Sequence, residues 1–270
     1  MKKTLLLVAI LFCICDVSAQ KKESRNSIGI QIGPAFPIGK FASSSTDFTE
    51  SGYAKIGISG MVNFSHELNS RWGLSICAYG LRSDINRKKL EKSFESVDFN
   101  SPLFIAGPGP FQPSPPSRYG NWEFRRGTWW VGGLFAGAHY KMPLKTDDKI
   151  SLVLKALAGA VYVESPGKGG ISSSDTTVVG IFQSPNQGKG FAYTVGGLFD
   201  YKLTKQWALT AGVDFLGTAP IKLKGNKTII TTVRNPNNPP LTSISQGMTT
   251  KDIKQTVQTV NVMLGVAFKF

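Results

Sequence analysis

From Val260 to Phe270 the chain alternates without interruption. Val260, Val262, Leu264, Val266, Phe268 and Phe270 are large and apolar, while Asn261, Met263, Gly265, Ala267 and Lys269 between them are mixed, small or charged. Side chains of an extended chain point to opposite faces in turn, so this period of two predicts a strand with one strongly apolar face. The run exceeds the roughly 5–6 residues of a soluble strand and fits the roughly 9–11 of a tilted membrane-spanning one.

The same pattern recurs upstream. Strands are predicted over Ser27–Phe36, Tyr53–Ser65, Trp72–Arg82, Thr128–Lys141, Ile150–Glu164, Phe191–Tyr201 and Trp207–Phe215. The second carries Ala54, Ile56, Ile58, Gly60, Val62 and Phe64 on its apolar face and Lys55, Ser59 and Asn63 opposite. With the closing strand this makes eight. The linkers alternate in length: Pro37–Gly52, Ser83–Arg126, Ser165–Gly188 and Gly217–Ile253 are long, while His66–Arg71, Met142–Lys149 and Lys202–Gln206 are short. Prolines 102, 108, 110, 113, 115 and 116 exclude a central strand from the second long linker and predict an extended, exposed segment there. Thr228–Val233 reads as a short strand that either extends its neighbour or makes a hairpin, with a ten-stranded wall as the architectural alternative.

Short turns on one side and long loops on the other are the organisation of an antiparallel up-and-down transmembrane β-barrel, with short periplasmic turns and four long extracellular loops. Aromatic placement agrees. Trp130 and Tyr140 share a face ten residues apart, about 25 Å along the membrane normal at ~3.3 Å per residue and a tilt near 40°. Trp72, Tyr201 and Trp207 fall beside short turns, so these five residues are expected in aromatic girdles.

Composition narrows the setting. Lys2 and Lys3, the apolar run Leu5–Ile14 and Val17-Ser18-Ala19 make residues 1–19 a cleavable signal peptide, too short in its apolar part to span a bilayer. Residues 20–26 then form a short periplasmic segment before a barrel domain over 27–270. Cleavage leaves Cys77 alone, so the mature chain has no internal disulfide. The net charge is +14, but Lys and Arg are scattered rather than gathered in a stripe, which speaks against nucleic acid. Anionic headgroups or polyanionic sugars outside the membrane suit such a charge.

The leader ending Val17-Ser18-Ala19, the alternating strands and the terminal Val262–Phe270 resemble the small outer-membrane β-barrel family, similar to the OmpA transmembrane domain and OmpX and often called porin-family proteins. The resemblance covers the mature chain at the level of pattern. It implies an outer-membrane location, assembly by the barrel-assembly machinery, and Phe268 and Phe270 in the aromatic-ended terminal strand that the machinery reads. Because the chain stops at its last strand, no peptidoglycan-binding domain is expected after the barrel.

Candidate chemistry is sparse. An eight-stranded barrel is just wide enough to be filled by side chains. The inward set includes Gln31, Lys55, Ser59, Asn63, Ser75, Cys77, Thr194, Thr210 and Asn261, and the charged Lys155, Asp200 and Asp214. A charge left alone in so narrow a lumen is costly. Lys55, Lys155, Asp200 and Asp214 are therefore expected in a lumen polar network, with Lys155 and Asp214 paired near mid-height. His66 and His139 lack metal-ligand spacing, and Gly167-Lys168-Gly169-Gly170 lacks the strand–helix context of a phosphate loop. No catalytic, metal or cofactor site is expected. Tyr119, Trp122, Phe124, Arg125 and Arg126 mix aromatics with arginine, either as a loop binding surface or as an upper girdle with arginines facing lipopolysaccharide.

Three functional classes stand: a non-enzymatic barrel whose loops bind an extracellular or membrane partner, a narrow pore for small solutes or ions, and an accessory part of an export or uptake complex. The closing strand generates a first expectation. Deleting Phe270 reduces outer-membrane insertion, measured in membrane fractions, more than trimming Pro110–Pro116 does; equal insertion would contradict the assignment of this strand.

Overall fold

The computed structural model describes residues 25–44, 51–95, 123–124, 127–144, 149–173, 177–183, 185–234 and 244–270. The expected leader and the proline run lie outside them. Eight antiparallel strands close into a barrel: β1 (Asn26–Pro37), β2 (Gly57–Glu67), β3 (Trp72–Asp84), β5 (Thr128–Pro143), β6 (Ile150–Ser165), β9 (Asn186–Lys202), β10 (Trp207–Thr218) and β13 (Gln258–Lys269). Each pairs with its neighbours in sequence order, and β1 meets β13 to seal the wall, with Ile30 opposite Val266 and Ser27 opposite Lys269. Closure leaves no strand edge in the wall.

Side-chain alternation sorts the wall into two surfaces. Ile30, Ile58, Val62, Ile76, Leu134, Phe199, Val213 and Leu264 point outward, and Leu134 and Leu264 are 66% and 65% exposed. Inward positions of the wall, Gln31, Ser75, Cys77, Lys155, Thr210 and Asn261, are buried. A continuous apolar exterior of this extent is a surface for hydrocarbon rather than for water.

Two of the short turns are built alike. In Leu68–Trp72 and Leu203–Trp207 the first residue's N–H donates to the tryptophan carbonyl, at 2.9 Å in each. Asn69 Oδ1 accepts from the Trp72 N–H at 2.8 Å, and Thr204 Oγ1 from the Trp207 N–H at 2.9 Å. Asn and Thr close turns by bonding backbone two or three residues on, so both turns deliver a tryptophan at the same level of the wall.

At the other end the long linkers are not irregular throughout. The loop expected over Pro37–Gly52 begins with the short helix α1 (Gly39–Ala42), and that over Ser83–Arg126 contains α2 (Arg87–Glu95). Parts of the other two form β7 (Lys168–Ser173), β8 (Thr177–Gln183), β11 (Ile221–Arg234) and β12 (Ile244–Gln255), which join β4 (Glu123–Phe124) in a second sheet of order β12-β11-β8-β7-β4. Thr228–Val233 lies in β11, which hairpins with β12 and also pairs with β8. The ten-stranded wall is therefore not what forms: the barrel closes with eight strands and the extra hairpin stands beyond it. Apart from Thr228–Val233, the pattern does not announce these strands, because Gly, Ser and Thr dilute the apolar periodicity of Lys168–Ser173 and Ile244–Gln255.

Candidate functional site

Three layers fill the barrel. At mid-height Lys155 Nζ lies 2.9 Å from Asp214 Oδ2, and both side chains are 5% exposed. Lys155 Nζ also sits 3.7 Å from Met61 Sδ. The strands set this pair: Lys155 is opposite Gly196, and Gly196 is opposite Asp214. Gly196 is needed between them, because a Cβ there would collide with Asp214 Oδ1. Tyr79 donates its hydroxyl to Asn261 Oδ1 at 3.2 Å, and Asn261 Nδ2 donates to the Asp214 carbonyl at 3.4 Å. Charge and hydrogen bonds thus tie β3, β6, β10 and β13 together across the lumen.

Toward the short turns the interior is polar. Lys269 Nζ meets Asp200 Oδ2 at 2.8 Å, and Lys141 Nζ meets Glu67 Oε1 at 2.7 Å. Gln31 Nε2 donates to Thr210 Oγ1 at 3.3 Å. His139 Nδ1 shares a hydrogen bond with Ser75 Oγ at 2.8 Å, and Ser75 Oγ with Ser65 Oγ at 2.9 Å. These groups surround a cavity of about 60 Å³. A serine–histidine contact is one ingredient of a nucleophilic site; here Ser75 and His139 are both buried inside the wall.

Toward the long loops the interior is mostly apolar, with Ser59, Ser83 and Thr259 buried among the apolar side chains. Leu81, Val131, Phe135, Leu157, Val161 and Val163 are buried there. Above them residues 51–54 fold in over the mouth. Trp129 donates its indole N–H to the Gly52 carbonyl at 2.9 Å, and its ring meets Phe41 edge-on at 5.4 Å. Lys168 donates to the Ser51 carbonyl at 2.5 Å with its ammonium 5.3 Å from the Tyr53 ring centre. The segment turns sharply at Tyr53, whose φ is 51°. Leu90 of α2 is fully buried, and the Asn86 N–H reaches the Tyr53 carbonyl at 2.7 Å, so the second long loop packs on the first.

The structure distributes the expected residues unevenly. Lys155 and Asp214 face one another, while Asp200 belongs to a separate pair with Lys269. Lys55 is the correction: it is exposed and joins no lumen network. Strand β2 begins only at Gly57, and the bend at Tyr53 breaks the alternation from which an inward Lys55 followed. Lys269, Lys141, Glu67 and Tyr79 were missed; each lies on the inward set of its strand, so the signal was present in the alternation. Of the aromatics, Trp72, Tyr140, Tyr201 and Trp207 stand on the outer wall near the short turns, and Trp130 near the long loops. Trp72 packs on Tyr140 at 4.9 Å, Trp207 on Phe268 at 5.0 Å, and Phe268 on Phe270 at 6.1 Å. Tyr119, Trp122, Arg125 and Arg126 lie outside the described residues; Phe124 is in β4, where only the backbone is described.

The barrel is similar to those of Neisserial surface protein A (12% identity, TM-score 0.42, covering 92% of this chain and 98% of that one). It is also similar to Ail, the attachment invasion locus protein of Yersinia pestis (12% identity, TM-score 0.39, 92% and 100%), and to a major outer membrane protein from Thermus thermophilus (12% identity, TM-score 0.41, 91% and 99%). No protein-family model and no curated protein matches the chain. The fold is read from this chain's own strand pairing.

Removing one partner of the central pair strands the other charge in a low-dielectric interior, which typically costs about 3–5 kcal/mol. Asp214→Asn is expected to lower unfolding stability by that order, measured by denaturant titration in lipid vesicles, while Lys155→Met combined with Asp214→Leu recovers most of it. An unchanged Asp214→Asn midpoint would contradict the pairing.

Proposed function

We propose that this chain is a non-enzymatic integral outer-membrane β-barrel that acts through what its surface binds, not by passing solutes. The observation that carries the reading is the filled lumen: a buried ion pair at mid-height under an apolar layer capped by residues 51–54. The exterior supports the membrane setting, since its apolar positions lie between Trp130 toward one end and the Trp72, Tyr140, Trp207 and Phe268 contacts toward the other. On this reading the short turns face the periplasm, and β7, β8, β11 and β12 stand on the extracellular side.

The partners are outer-membrane lipid and lipopolysaccharide around the wall, the barrel-assembly machinery during biogenesis, and an extracellular or membrane protein met by the loops. Phe268 and Phe270 are the assembly signal in this account. Lys222, Lys254 and the basic residues of the loops give the outer end its affinity for anionic surfaces.

Single-channel recording in planar bilayers tests the reading. The folded protein is expected to be electrically silent. Stable openings that persist after loop residues are deleted would overturn it in favour of a narrow pore.

A further inference from the structure

The outward surface carries a depression that the barrel does not need. Gly60, Gly80 and Gly132 are paired in register across β2, β3 and β5, with Ile32 and Tyr162 continuing the row on either side. One step toward the extracellular end, Ile58, Arg82, Trp130 and Glu164 form the next outward row. The two rows line an apolar trough of about 730 Å³.

Packing does not demand these glycines. A Cβ at Gly80 or Gly132 would meet no atom within 4 Å, and one at Gly60 would meet only the Gln31 carbonyl at 3.8 Å. None has positive φ. No aromatic ring lies over Gly80 or Gly132, so they are not glycines covered by a neighbouring side chain. Glycine inside a strand weakens it and marks places where a ligand or another backbone comes close.

The rim supplies the chemistry. The Arg82 guanidinium lies 5.2 Å from the Trp130 ring centre. Glu164 flanks the same tryptophan on its other side. Neither Arg82 nor Glu164 forms an ion pair among the described residues. An arginine and a glutamate above an apolar trough complement a headgroup that holds a phosphate and an ammonium above a hydrocarbon chain. A purely anionic lipid would meet Glu164 unfavourably. A second barrel presents a convex wall that does not fill a concave trough.

We propose that this trough binds one phosphoethanolamine lipid, with an acyl chain along Gly60, Gly80 and Gly132, its phosphate on Arg82 and its ammonium on Glu164. The proposal rests on the reading that the outward wall meets a bilayer.

Native mass spectrometry of the folded chain, extracted from vesicles of equal phosphatidylethanolamine and phosphatidylglycerol, tests it. One retained phosphatidylethanolamine is expected. Gly80→Leu with Gly132→Leu fills the trough and abolishes retention, while Gly80→Ala with Gly132→Ala lowers it part of the way. Arg82→Gln weakens retention roughly tenfold, the order lost with one charge-assisted hydrogen bond, and Glu164→Gln shifts the retained lipid toward phosphatidylglycerol. Equal retention of both lipids by the unaltered chain, no retained lipid, or full retention by the leucine variant would overturn the proposal. A dimer broken by the leucine variant would assign the trough to a second copy instead. Heat-modifiable migration on gels reports folding separately: barrels that insert but retain no lipid contradict the trough alone, whereas barrels that fail to insert contradict the membrane reading beneath it.

Discussion

Everything in this structure follows from closing one hydrogen-bond ladder. Hydrocarbon offers backbone N–H and C=O groups no partner, so a spanning sheet must pair every strand on both sides. The chain does this by bringing its first described strand to its last. The Asn26 N–H donates to the Phe270 carbonyl at 3.2 Å, and the Phe270 N–H donates back to the Asn26 carbonyl at 3.0 Å. Once the ring is closed, each strand has one face to the outside and one to a narrow interior. The period-two pattern then decides the chemistry of both.

The interior is where closure becomes demanding. Charged residues such as Lys155 and Asp214 can occupy it because strand register places each of them opposite Gly196, which leaves room for the carboxylate between them. The Lys269–Asp200 and Lys141–Glu67 pairs repeat the arrangement nearer the turns. Toward the outer end the barrel switches to apolar filling and closes its mouth with a bent segment held by Trp129 and Lys168. A wall built for lipid thus encloses a core built like that of a small soluble domain.

The wall was legible because its signal is redundant. In the closing strand, Val262, Leu264 and Val266 alternate with Asn261, Met263 and Gly265, and one missed residue would not have altered the reading. The Lys155–Asp214 contact was legible for the same reason, since alternation gave the face and strand length gave the height. Lys55 was misplaced where alternation stops: the backbone turns at Tyr53, and nothing local in an Ala-Lys-Ile run announces it. Apart from Thr228–Val233, the second sheet was hidden because residues such as Gly169, Gly170 and Ser172 read as turn residues when taken alone. Those strands are fixed by their partners rather than by their own propensity. The outward glycines were visible as residues, but their meeting in one row depends on register between strands.

The most direct test of the account is a scan of spin labels along Gln258–Lys269 in lipid vesicles, read by collision with oxygen and with a water-soluble nickel complex. Labels at Val262, Leu264 and Val266 are predicted to be accessible to oxygen and shielded from nickel. Labels at Asn261 and Met263 are predicted to be shielded from both. Equal accessibility at adjacent positions, or nickel reaching Leu264, would contradict a closed barrel with a lipid-facing wall and a filled interior.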